Sequence, residues 1–160
     1  MQSTGGHSKD SLLIQAYSAK CTFIGDEGNI APEKPASFFI DGTGDSQKRL
    51  KVLKMLSNLS TDIICPAHQS PVPHPFDLYL HNLIFEHKHT KDTIYDILVS
   101  VGEAKTYYIA EEYLNTIGIS WKSPFEELGV ASTTVTAFLK EIENEGRTQY
   151  ETHSKRWSII

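Results

Sequence analysis

Two stretches decide the fold class: Asp45-Ser-Gln-Lys-Arg-Leu-Lys-Val-Leu-Lys-Met-Leu-Ser-Asn-Leu59 and, three residues on, Asp62-Ile-Ile-Cys-Pro-Ala-His68. In the first, Leu50, Leu53, Leu56 and Leu59 recur at a helical period, and Val52 and Met55 widen the apolar stripe. Asp45-Ser46 supplies the start signal, because a short oxygen-bearing side chain can accept a hydrogen bond from the otherwise unpaired amides of a first turn. In the second, Asp62 to Cys65 is a short apolar strand. Pro66 to Pro75 is a proline-punctuated loop leaving its C-terminal end, where side chains that do chemistry are commonly delivered. Helix, strand and loop in that order predict an α/β layer.

Working outward, Leu12–Tyr17 and Cys21–Ile24 are apolar runs separated by Ser18-Ala19-Lys20, a pattern for an antiparallel hairpin. Gly25 to Gly44, with Pro32 and Pro35, reads as loop, with Phe38-Phe39-Ile40 tucked back onto the protein. On the other side, Leu80, Leu83, Ile84, Ile94, Ile97 and Leu98 place one long helix or two in sequence over Phe76–Val99, linking two units. After Gly102, three helices are predicted: Tyr107–Ile117, Pro124–Leu128 and Thr133–Glu145, the last stopped by Gly146. Arg147–Tyr150 and Arg156–Ile159 then pair as a hairpin. Three helices followed by a two-stranded wing is the winged-helix arrangement.

Composition sets bounds on function. The 160 residues, 39% hydrophobic and 22% charged, are those of a globular protein rather than a disordered one. A net charge of −5 argues against generic attraction to a polyanion, so any nucleic-acid contact has to be focused. From Lys105 to Ile160, six Lys/Arg stand against eight Asp/Glu, and Glu141, Glu143 and Glu145 lie on the helix that would read a groove. Duplex DNA is therefore not the expected partner. No run approaches the apolar length of about 20 residues that a membrane helix needs, so no membrane association is expected. Cys21 and Cys65 sit in apolar strands without metal-type spacing and read as small core residues in a reducing compartment.

Three residues stand where strand ends deliver chemistry. His7 follows the pair Gly5-Gly6 just before an apolar strand. Asp26 follows Gly25 at the end of Cys21–Ile24. His68 follows Pro66-Ala67 at the end of Asp62–Cys65. Two imidazoles and a carboxylate are a donor set suited to zinc or a similar metal, although spacing alone does not make them converge. His81 and His87, six apart, do not share a helical face, and the remaining histidines read as solvated, with His87 structural.

These same residues resemble the metallo-β-lactamase superfamily. Thr4-Gly-Gly-His-Ser-Lys-Asp-Ser11 is similar to its TPGHTxDS, Phe23-Ile-Gly-Asp26 to its F-x-GD, and Asp62-Ile-Ile-Cys-Pro-Ala-His68 to its DxIxPGH. Within the superfamily the tail resembles the lactamase-beta-like protein two branch of endoribonucleases. There His87-Lys88 and Lys91-Asp92 match an HRxxRE helix, and Leu139-Lys-Glu-Ile-Glu-Asn-Glu-Gly146 and Lys155-Arg-Trp157 match LxKLExEG and KKW. The resemblance implies the C-terminal part of an αββα sandwich over residues 1–87, followed by a winged-helix domain over 88–160. It implies a site for two zinc ions, with His7 on the first, His68 on the second and Asp26 bridging them, and single-stranded RNA as substrate.

The sequence departs from the family in several places. Ala67 stands for a glycine, Lys88 and Lys91 stand for arginines, and the loop from Glu27 to Asp45 is long. The HxHxDH motif occurs nowhere, which leaves each zinc with two protein ligands where catalytic zinc usually keeps three. The expectation is an incomplete zinc-dependent hydrolase, inactive as this chain alone. It would be a fragment or truncated gene model whose open sheet needs a partner chain or the missing N-terminal half. The alternatives are a hydrolase of a thioester or other small ester or amide, and a non-catalytic interaction module. Mitochondrial matrix or cytoplasm are the compatible locations.

Overall fold

A computed structural model of the 160-residue chain describes residues 1–28, 39–119 and 124–160, with no account of the side chains of 124–128. The central part of the predicted loop between Gly25 and Gly44 thus lies outside the described residues.

The helix and strand that opened the sequence form as expected. Helix α1 (Ser46–Leu56) is capped by Asp45, whose side chain accepts from the Lys48 amide at 3.0 Å. Strands β2 (Leu12–Ala16) and β3 (Cys21–Gly25) pair antiparallel, with Lys20 in a left-handed turn conformation between them. Strand β4 (Ile63–Pro66) runs parallel to β3, as the intervening α1 crossover requires. Two two-residue strands, β1 (Gln2–Ser3) and β5 (Val72–Pro73), complete a five-stranded sheet of order β1-β2-β3-β4-β5. Strand β5 lies inside the proline loop and carries no alternation long enough to show in sequence.

The period-2 alternation assigns the two faces of this sheet. Leu13, Ile24 and Ile64 point onto Val52, Leu53 and Leu56 of α1 and onto Leu80 and Leu83 of helix α2 (Asp77–Val101). On the other face Ile14 sits opposite Phe23, and Phe23 opposite Cys65. Leu12, Ile14 and Phe23 are there 43%, 40% and 48% exposed. Cys21 and Cys65 belong to this open face and are only half-buried free thiols, so they are not core residues.

Helix α2 is one helix rather than two and crosses the predicted division after His87. Its first half serves the sheet cluster, and Ile94 and Leu98 serve a second core. That core comprises helix α3 (Thr106–Thr116), helix α4 (Pro124–Asn144) and a three-stranded sheet. The order of that sheet is β6 (Glu103–Ala104), β8 (Arg156–Ile159), β7 (Thr148–Glu151). Two of the three helices predicted after Gly102 are a single helix: Gly129 lowers helix propensity by about 1 kcal/mol, too little to break it without a proline or cap. Among the described residues no helix is long and apolar enough to cross a membrane.

A buried polar cluster joins the two cores. Glu141 of α4, 3% exposed, receives His87 Nε2 at 3.2 Å and Lys91 Nζ at 3.2 Å, and Lys91 also reaches Glu145 at 2.6 Å. Burial holds the His87 imidazole below its usual pKa, only partly offset by Glu141, so it stays neutral and donates through Nε2. Burial alone would raise the Glu141 carboxyl, but the hydrogen bonds from His87 and Ser46 and the adjacent positive charge bring it down to about 2.

Candidate metal centre

The sheet brings the three predicted residues together. Gly25 adopts φ +53, a left-handed conformation open to glycine at no cost, and a register shift falls between Phe23 and Gly25. The chain turns there so that Asp26 and Glu27 part company. Asp26 stays at the sheet end, one-third exposed, and Glu27 is buried.

Asp26 offers one oxygen to each histidine. His68 Nε2 lies 3.1 Å from Oδ1, and His7 Nε2 lies 3.8 Å from Oδ2, beyond hydrogen-bond range. His7 Nδ1 lies 2.7 Å from the Phe39 carbonyl. A carbonyl can only accept, so Nδ1 carries a hydrogen, and the ring orientation that aims Nε2 at Asp26 is fixed. His68 is mostly exposed, with a backbone anchor one residue earlier, where the Ala67 amide donates to the Gly25 carbonyl at 3.1 Å. Ala67 does not have a positive φ, so its methyl group is accommodated without left-handed strain. The glycine of the family motif is not needed at this position.

Sequence reasoning missed what holds His7. Glu27 accepts from Thr4 Oγ1 at 2.6 Å, from the Gly6 amide at 3.1 Å and from the His7 amide at 3.2 Å. Beneath the loop lies Arg49 of α1, fully buried. Burial pushes its guanidinium down to about 10, partly offset by the Glu27 charge, so it remains a cation at neutral pH. A Cβ on Gly6 would run into the Glu27 carboxylate and come within 2.7 Å of Arg49 Cα, so only glycine fits. From the far side, the Asp41 amide donates to the His7 carbonyl at 2.8 Å and the Asp45 amide to the Gly6 carbonyl at 2.7 Å. The acidic pair Asp26-Glu27 straight after a strand was the available signal. Its second member looked like loop because nothing local reports a buried arginine 22 positions away.

The donor types suit zinc, with imidazole nitrogens on either side of a carboxylate able to bridge. The number does not complete a site. Among the described residues no three His, Cys, Asp or Glu side chains form a group that could hold a metal ion. The arrangement is two pairs sharing Asp26, and each pair lacks further donors.

Solved structures share the fold of this chain. A metallo-beta-lactamase family protein from Thermus thermophilus superposes with a TM-score of 0.69 at 14% identity, over 99% of this chain and 48% of that one. A beta-lactamase domain protein from Burkholderia ambifaria superposes at 0.61 with 12% identity, over 97% of this chain and 46% of that one. The chain therefore spans about half the length of the structures it matches. No family model and no curated protein matches its sequence. Likeness at this identity concerns the fold, and in fold the chain is similar to about half of each of these metallo-β-lactamase-type structures.

Proposed function

We propose that the chain is the C-terminal part of a zinc-dependent hydrolase of the metallo-β-lactamase fold, with His7 on one metal, His68 on the other and Asp26 bridging. The observation that carries this reading is the presentation of the two Asp26 oxygens to two separate Nε2 atoms, one of them on a ring oriented by Phe39. Two zinc ions, when bound, supply a hydroxide from water at neutral pH and offset negative charge developing on the attacked group. This chain's own part is to orient the ligands: Glu27 fixes the His7 loop, Gly25 turns Asp26 to the edge, and Pro66 stiffens the approach to His68.

With two protein donors per metal, the chain by itself is inactive. The open face of Leu12, Ile14 and Phe23 supports a second sheet layer stacked there, which would bring the remaining ligands. Single-stranded RNA is the substrate implied by the tail motifs. Helices α3 and α4 with the β7-β8 hairpin serve as a winged helix packed on the hydrolase core.

The coding sequence upstream of Met1 tests this directly. An in-frame HxHxDH segment is the expected finding, and a stop codon immediately upstream would count against it.

A further inference from the structure

The three acids of α4 that argued against a groove-reading helix are engaged in contacts within the protein. Glu141 is buried on His87 and Lys91, Glu145 pairs with Lys91 and Arg147, and Glu143 accepts from the Tyr150 amide at 3.0 Å. None of the three lines the cleft that α4 borders. The helix presents Ser132, Thr133, Thr136, Ala137 and Lys140 to this cleft of about 420 Å³, closed by the start of α3 and by the β7-β8 hairpin. This is within the roughly 300–1,000 Å³ of ligand sites and far too small for a duplex.

The cleft is basic and aromatic. Lys105 precedes α3, Lys140 is on α4 and Lys155 is in the β7-β8 turn; all are exposed, and none forms an ion pair among the described residues. Tyr107 and Tyr150 line it at 52% and 40% exposure. The Tyr150 ring is backed by Trp157 at 4.8 Å, which makes it a fixed platform. Lys155 holds φ 56, a left-handed backbone that lysine rarely adopts. Asp41, the one acid of the lining among the described residues, is occupied by Thr43 through its hydroxyl at 2.6 Å and its amide at 2.7 Å. The same 41–45 segment that walls the cleft holds the His7 loop by its backbone, so cleft and candidate metal centre share a wall.

We propose that this cleft binds a single-stranded segment of polynucleotide, with phosphates on Lys105, Lys140 and Lys155 and a base against Tyr107 or Tyr150. Cations supply sequence-independent affinity for the backbone, and tyrosine faces accept any base. The inference rests on the RNA reading above for its ligand, yet it needs no metal.

The test is fluorescence anisotropy of a labelled short oligouridylate with the full chain in chelator. The Lys105→Gln/Lys140→Gln/Lys155→Gln variant is expected to bind at least about tenfold more weakly. Its log–log salt slope should be shallower by roughly 2, at about 0.7 per phosphate contact. Lys51→Gln/Lys54→Gln on α1 should bind as the parent does. Tyr107→Ala should weaken the oligonucleotide and leave tripolyphosphate competition unchanged. Parental binding by the triple variant, or equal loss in the α1 variant, overturns the inference and leaves the hydrolase reading intact. Equal loss of tripolyphosphate and oligonucleotide in Tyr107→Ala overturns the stacking assignment. Cleft-dependent binding by a protein that never cleaves RNA with its metal site complete would sink the hydrolase reading alone.

Discussion

Glu27 sets the position of His7 without touching a ligand atom. Its carboxylate gathers a hydroxyl and two amides of the Thr4–His7 loop and faces the buried Arg49. Removing it takes a nearby negative charge from the buried Arg49 and frees two backbone donors. Glu27→Ala is therefore expected to destabilise the chain by about 3–5 kcal/mol, as for other buried pairs broken from one side, a loss read from urea denaturation. A change below about 1 kcal/mol would mean that the loop is held by something else. At this scale the sequence was legible where chemistry sits next to geometry. Gly25-Asp26 and Pro66-Ala-His68 announce themselves because a turn residue precedes a donor at a strand end. Glu27 and Arg49 do not, because their meaning is a contact between the turn after β3 and α1 that no spacing encodes.

Among the elements, α1 and the β2-β3 hairpin were legible from period and cap, whereas β5 and β6 are too short to alternate. Helix α4 is continuous where two helices were predicted, because Gly129 costs only about 1 kcal/mol of helix propensity. The Glu141 cluster shows a similar gap: three acids on one helix look like a solvated face until α2 supplies His87 and Lys91. This cluster makes stability pH-dependent in a direction fixed by its pKa shifts. His87 titrates lower in the folded chain than in the unfolded one, so below its ordinary value of 6.5 the unfolded state takes up more protons and stability falls. Glu141 is depressed from 4.5 to about 2, so its contribution is complete above 4.5 and is lost as pH falls toward 2. That shift corresponds to a contribution on the order of 3 kcal/mol. Denaturation midpoints should drop in both windows, and Glu141→Gln should flatten the lower one. A midpoint unchanged between pH 7 and 3 would contradict this account of the junction.

For the whole molecule, the balance of legible and hidden follows the open face of the first sheet. The first sheet has one face on helices and, on the other, Leu12, Ile14 and Phe23 open to solvent, an apolar surface of the kind a second layer covers in a sandwich. The sequence carries that face as ordinary alternation and cannot show that nothing covers it. Ligand arithmetic, in contrast, was available from the residues alone, and under the proposed assignment the geometry around Asp26 keeps it at two donors per side. The most direct test of the central claim is a zinc titration of the purified chain and of Asp26→Asn by isothermal calorimetry. Weak zinc binding that disappears in Asp26→Asn is the predicted result, because two sites that share one carboxylate fail together. Two zinc ions held tightly per chain, or binding indifferent to Asp26, would contradict it.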